Sequence, residues 1–202
     1  TKVNIMNYSI YAESTPNPEV MKFVSNRMLV DKSIEILNAK EAQGISIAEE
    51  LMKFPFVKSI FLSGNFISIS KTESIQWEDI AMQLRIFIAD HLNSNEPKNY
   101  TAHLSDEETQ EVAISNKTEK EKKEFTTEEK EIEAILNQYI KPAVEGDGGA
   151  ITLNYFKDNV VCVDLKGACS GCPSATSTLK GGIESLLKQK LNPEIEVIAN
   201  EK

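Results

Sequence analysis

The chain reads as α+β, two small domains joined by a flexible charged linker, and three features predict this. Short alternating runs bounded by turn residues mark strands. Long stripes of apolar residues three and four apart mark helices, and the two kinds of segment are mixed rather than strictly interleaved. Between them, residues 93–125 run through Ser105-Asp106-Glu107-Glu108 and Lys117-Thr118-Glu119-Lys120 with few large apolar side chains. Such a stretch buries too little to offset the entropy of ordering it, so it separates a domain over 1–92 from one over 126–202. The 202 residues, 41% of them hydrophobic, suffice for two domains at the usual size of roughly 100–200 residues each.

In the first domain Tyr8, Ile10 and Ala12 alternate with polar neighbours as a strand, which Thr15-Pro16-Asn17-Pro18 breaks with two prolines before Met21-Lys22-Phe23-Val24 resumes it. Ser46 and Glu49 have capping-box spacing at the start of a short helix through Leu51 and Met52. Val57 to Leu62 and Phe66 to Ile69 flank Gly64-Asn65, a hairpin signal. Trp77, Ile80, Ala81, Leu84, Phe87, Ile88 and Leu92 then form one apolar helical stripe that should cover the sheet. This domain contains no cysteine.

The second domain opens with a capping box at Thr126 and Glu129, and Ile132, Ile135, Leu136, Tyr139 and Ile140 give a buried stripe that Pro142 should end. Glu145-Gly146-Asp147-Gly148-Gly149 is a turn where positive φ is available. Ile151 to Phe156 and Val160 to Leu165 follow as strands joined by Lys157-Asp158-Asn159. Leu179, Ile183, Leu186, Leu187 and Leu191 line a helix, and Ile195 to Ile198 return as a strand, so the order is α-β-β-α-β. Gly181-Gly182 within that helix costs about 1 kcal/mol per glycine relative to alanine. Either a tolerated kink or a close approach by another backbone, such as a partner chain, would account for it.

Net charge is −9, distributed as −2, −3 and −4 over the first domain, the linker and the second domain. No portion is basic, which argues against nucleic acid or an anionic membrane surface as a partner. Three cysteines do not make a secreted disulfide framework, and no run of apolar residues is long enough to span a bilayer. A cytoplasmic location is expected. The start at Thr1 rather than Met makes the mitochondrial matrix the alternative, if a presequence has been removed.

Chemistry concentrates in Cys169-Ser170-Gly171-Cys172-Pro173. Pro173 suits the first helical position, which makes Cys172 the cap and sets its sulfur by free N–H groups at the positive end of the helix, where a thiolate is favoured. Small residues around the pair leave room for an inorganic core. Two thiolates are half of a tetrahedral or cluster site, which ordinarily needs four ligands. By residue chemistry alone, thiol–disulfide exchange, half of a zinc site and half of an iron–sulfur site stand equal. An intrachain zinc site lacks a second pair, since His91 and His103 are read as solvated residues of a helix end and of the linker. Cys162 alternates with Val161, Val163 and Leu165, faces the opposite side beside Asp164, and is taken as a non-ligand. Asp147 is read as a turn former. No Ser/His/Asp set, phosphate-binding loop or carboxylate pair stands out.

From Pro142 through Asp147-Gly148-Gly149, the two strands, Gly167-Ala168-Cys169-Ser170-Gly171-Cys172-Pro173-Ser174 and Leu179-Lys180-Gly181-Gly182-Ile183, the chain resembles the NifU C-terminal (Nfu-type) domain. Thr15-Pro16-Asn17-Pro18, Lys22-Phe23, the hairpin and the Trp77 helix look like the Nfu N-terminal domain. The resemblance implies a non-enzymatic iron–sulfur carrier or scaffold. In it Cys169 and Cys172 of two subunits hold one bridging [4Fe-4S] or [2Fe-2S] cluster, which passes to apo-protein clients by thiolate exchange. The implied partners are a second copy of the chain, those clients and an upstream assembly scaffold. The first domain would dock clients or the scaffold. The cysteine-bearing N-terminal scaffold and ferredoxin parts of full-length NifU have no counterpart here, so delivery is implied rather than de novo assembly.

Overall fold

Alternation in the first domain becomes an antiparallel sheet of strands β1 (Ile10–Ser14), β2 (Val20–Ser25), β3 (Ile34–Ile36), β4 (Val57–Ser63) and β5 (Phe66–Lys71). A computed structural model describes residues 7–94, 125–170 and 173–200. The proposed linker over 93–125 lies outside the described residues except at its ends, and so does His103. The strand order is β1-β2-β5-β4-β3. The predicted Gly64-Asn65 hairpin is present, with Gly64 at a φ of 54°, and the extended runs on either side of Thr15–Pro18 pair with each other as well. Strand β3 was not expected, because three residues are too few to show a period of two.

Helices α1 (Ser46–Leu51) and α2 (Trp77–Ser94) complete this unit. Ile80, Leu84, Ile88 and Leu92, spaced one turn apart, are all buried and share a core with Phe23, Ile60, Leu62, Ile67 and Ile69. Each such side chain contributes roughly 1.5–3 kcal/mol by leaving water. The capping box predicted at Ser46 does not form. Buried Ile45 occupies the cap position, so Ser46 falls one place inside the helix and its Oγ meets His91 Nε2 at 3.1 Å. His91 is accordingly half-buried rather than solvated, and burial lowers its pKa.

The second unit contains α3 (Thr127–Ile135), a π turn (Leu136–Ile140), α4 (Lys141–Gly146), β6 (Gly149–Lys157), β7 (Val160–Gly167), α5 (Pro173–Lys190) and β8 (Glu196–Asn200). Its capping box is complete: Glu129 N donates to Thr126 Oγ1 at 3.2 Å and Thr126 N to Glu129 Oε2 at 2.9 Å. The other Glu129 oxygen accepts from Phe156 N at 3.2 Å, so one buried carboxylate ties helix to strand. Pro142 does not end the helix. The π turn just before it takes up the change in hydrogen bonding that a proline forces, and Pro142 sits in the first turn of α4, where a missing N–H costs little. A π turn also holds extra chain per turn, which shifts the phase of the stripe. Tyr139, expected inside, is therefore exposed under the Lys190 ammonium.

Strands β6 and β7 form an antiparallel hairpin whose central residues Asp158 and Asn159 both have positive φ, the combination that matches strand twist in a two-residue turn. Helix α5 carries the chain back to β8, parallel to β7, giving the order β6-β7-β8. Ile132, Leu136, Val161, Val163, Ile183 and Leu187 lie in the core between sheet and helices. Leu186, expected on the same helix face, is only half-buried. Among the described residues no helix is long and apolar enough to cross a membrane.

Candidate functional site

Cys169 is held at the end of β7 by a short run of backbone bonds. Gly167, with a φ of 63°, turns the chain out of the strand, and its carbonyl accepts from both Ser170 N (3.1 Å) and Ser170 Oγ (2.9 Å). Thr176 Oγ1 on α5 donates to Cys169 O at 3.3 Å, joining the loop to the helix that follows. The Cys169 side chain is buried in the core of the second unit. Its sulfur fills a space that only glycine leaves: a Cβ at Gly149 would stand 2.6 Å from Cys169 Sγ and 2.7 Å from Lys166 O. The Gly148-Gly149 pair thus serves sulfur packing as well as turn formation. Gly148, at a φ of 82°, directs its carbonyl to Ala168 N at 3.2 Å.

Burial, reinforced by the Asp147 carboxylate, pushes the Cys169 thiol up to about 11. The thiolate expected at the helix N-terminus is that of Cys172, which lies outside the described residues. At Cys169 burial leads, because removing a thiolate from water is costly, and the Asp147 carboxylate acts in the same direction. Helix α5 does begin at Pro173, but Gly171 and Cys172 lie outside the described residues. A buried acid with a raised pKa adds stability while it stays neutral. That contribution is whole below the ordinary value of 9.0 and is lost as pH climbs towards about 11. Alkylation of Cys169 in metal-free protein, followed by peptide mass against pH, should accordingly rise with a midpoint near 11 rather than 9. A midpoint at or below 9 would contradict this description of the site.

The other candidates fall elsewhere. Cys162 lies across the hairpin from Tyr155 and beside Ile198, buried on the sheet side away from Val161 and Val163, and burial raises its thiol. Among the described residues no three His, Cys, Asp or Glu side chains converge. A Cβ at Gly181 or Gly182 would meet nothing within 4 Å, so no described segment of this chain accounts for that pair.

The reading of the sequence missed what the first unit does here. Lys22, Ser68, Phe61 and Glu35 lie in register across β2, β5, β4 and β3, forming one row on the sheet face away from α2. Every member of the row meets the cysteine-bearing unit. Lys22 Nζ donates to Gly146 O (3.0 Å), Ser68 Oγ donates to Gly148 O (2.7 Å), and Glu35 Oε1 accepts from Gly167 N (3.3 Å). The Phe61 ring would stand 2.7 Å from a Cβ on Gly167. Asn17, from the Thr15–Pro18 turn, donates to Ala168 O at 3.2 Å. In β5, Phe66 and Ser68 are accordingly as buried as the alternating Ile67 and Ile69.

Residues 10–95 match the family described as scaffold protein Nfu/NifU N terminal, and residues 132–198 match the NifU-like domain. The chain is 30% identical over 198 residues to the mitochondrial NFU1 iron-sulfur cluster scaffold homolog of Drosophila sechellia, covering 94% of this chain and 63% of that protein. It is 29% identical over 189 residues to the mitochondrial NifU-like protein 4 of Arabidopsis thaliana, covering 88% and 61%. With the human mitochondrial NFU1 iron-sulfur cluster scaffold homolog the identity is 29% over 189 residues, covering 93% and 69%. The chain spans less than two thirds of the length of the fly and plant relatives.

Proposed function

Since the chain belongs to the Nfu family, with an Nfu N-terminal and a NifU-like domain, we propose that it is a non-enzymatic iron–sulfur cluster carrier. Its cargo is a [4Fe-4S] cluster held by Cys169 and Cys172 of two copies of the chain. The names of its relatives support cluster scaffolding, and the observation that carries the finer reading is the half-site itself. The domain has one pair of thiols on a glycine-spaced loop, whereas a cluster takes four protein ligands. Two copies complete the set. The domain division at 93–125 belongs to the same proposal. So does a mitochondrial matrix location, which the relatives' names favour over the cytoplasmic one expected from composition.

Delivery is ligand exchange. A client thiolate forms a bond to iron, the bond from iron to Cys169 breaks, and the freed sulfur takes up a proton; the cluster's oxidation state is unchanged. The buried setting of Cys169 assists this step, since it favours the neutral thiol that release produces. A site built to retain its metal would do the reverse and hold its sulfurs ionised when empty. Clients and an upstream assembly scaffold are the remaining partners, recognised in part by the first domain.

Anaerobic reconstitution with iron and sulfide tests the reading: the expected product is a dimer with four irons per two chains. Single zinc ions shared by two chains would instead favour the structural zinc alternative. Metal-free protein should reduce insulin disulfides no faster than free dithiol, and turnover above that level would favour a thiol–disulfide oxidoreductase.

A further inference from the structure

We infer that the outer face of the five-stranded sheet is an intramolecular clasp for the cysteine loop, closed in the cluster-free chain and released for a second copy to share a cluster. This deepens the carrier reading above and rests on it. An antiparallel sheet commonly leaves one face in water. Here α2 covers one face, yet Lys22, Phe61, Phe66 and Ser68 on the other are also buried. Strands β4 and β5 pack against β7.

The contacts are specific in kind. Lys22, Ser68 and Asn17 donate to loop carbonyls and Glu35 accepts a loop N–H, so the sheet reads the backbone of the loop rather than its side chains. Glycine makes this possible. A Cβ at Gly148 would lie 2.7 Å from Ser68 Oγ, and one at Gly167 would lie 2.7 Å from the Phe61 ring. The Gly146–Gly148 turn and residues 167–168, which lead into Cys169, are therefore both anchored to the other domain. The Cys169 side chain is only 8% exposed, and a bridging cluster requires its sulfur to reach a centre shared with another chain. Pinned at these points, the strand end that carries Cys169 moves outward only when the sheet lets go, so the clasp holds the empty carrier closed around a thiol seated in the core of its own domain.

Alkylation of Cys169 by iodoacetamide, mapped by peptide mass on the full-length metal-free chain at pH 8, tests this without any cluster. Ser68→Glu puts a carboxylate against the Gly148 carbonyl and should speed modification about tenfold, the factor for losing roughly one buried hydrogen bond's worth of closure. Glu35→Ala, at the edge strand, removes a single bond and should give about threefold. Trp77 fluorescence reports whether the first domain remains folded; if Ser68→Glu disrupts it, Glu35→Ala decides. Unchanged rates in the folded variants would overturn the clasp, and protection that fades on dilution would overturn its being within one chain. Ser68→Glu should also take up a cluster faster in reconstitution, and faster alkylation with unaltered uptake would overturn its role in loading. A chain that takes up no cluster in any form but still shows the alkylation difference would reject the carrier reading while leaving the contact intact.

Discussion

Cys169→Ala and Cys172→Ala each abolish cluster binding in reconstituted protein, while far-UV circular dichroism and thermal unfolding change little. The first outcome follows from ligand number. A bridged site that loses one residue type loses two of four ligands, one from each copy, and two remaining thiolates do not hold a cluster against water and chelators. For Cys169 the second outcome follows from size, because removing one sulfur atom from its core position leaves a small cavity worth about 1 kcal/mol or less. Loss of colour with retained fold therefore separates ligation from folding. A cluster unchanged in amount and spectrum in either variant would reject the assignment of that cysteine.

Gly149→Ala is the more damaging substitution for the fold. The new methyl group would sit 2.6 Å from Cys169 Sγ and 2.7 Å from the Lys166 carbonyl. One of these neighbours is backbone in the paired strand, with Gly149 registered opposite Gly167, so the strain cannot be relieved by turning a side chain. Overpacking of this kind costs about 1–3 kcal/mol. We expect the upper end of that range, seen as a lower urea midpoint at unchanged slope for the second domain. Wild-type stability in Gly149→Ala would show that the glycine serves the turn alone.

The parts of the fold that were legible in the sequence are those governed by local rules. The Trp77 helix, the Gly64-Asn65 hairpin and the Thr126 cap follow from periodicity and turn chemistry within a few residues. Where a tertiary contact competes, the local reading gives way. Ser46 loses its cap because Ile45 is needed in the core, and Pro142 is absorbed by a π turn that moves Tyr139 to the surface. At the cysteine loop the helix start at Pro173 was legible, since it is set by local turn chemistry. Its electrostatics were not, because the raised pKa of Cys169 depends on burial against Gly149 and on Asp147. The cross-strand row of Lys22, Ser68, Phe61 and Glu35 comes from four strands far apart in the chain, and only the register of the sheet brings it together.

Mössbauer spectroscopy with sedimentation on protein prepared without oxygen and supplied with iron and sulfide tests the central claim most directly. The expected result is a cubane signal of four irons in a species of twice the chain mass, which reverts to single chains when a chelator strips the metal. A colourless preparation that remains monomeric at saturating iron and sulfide would contradict it.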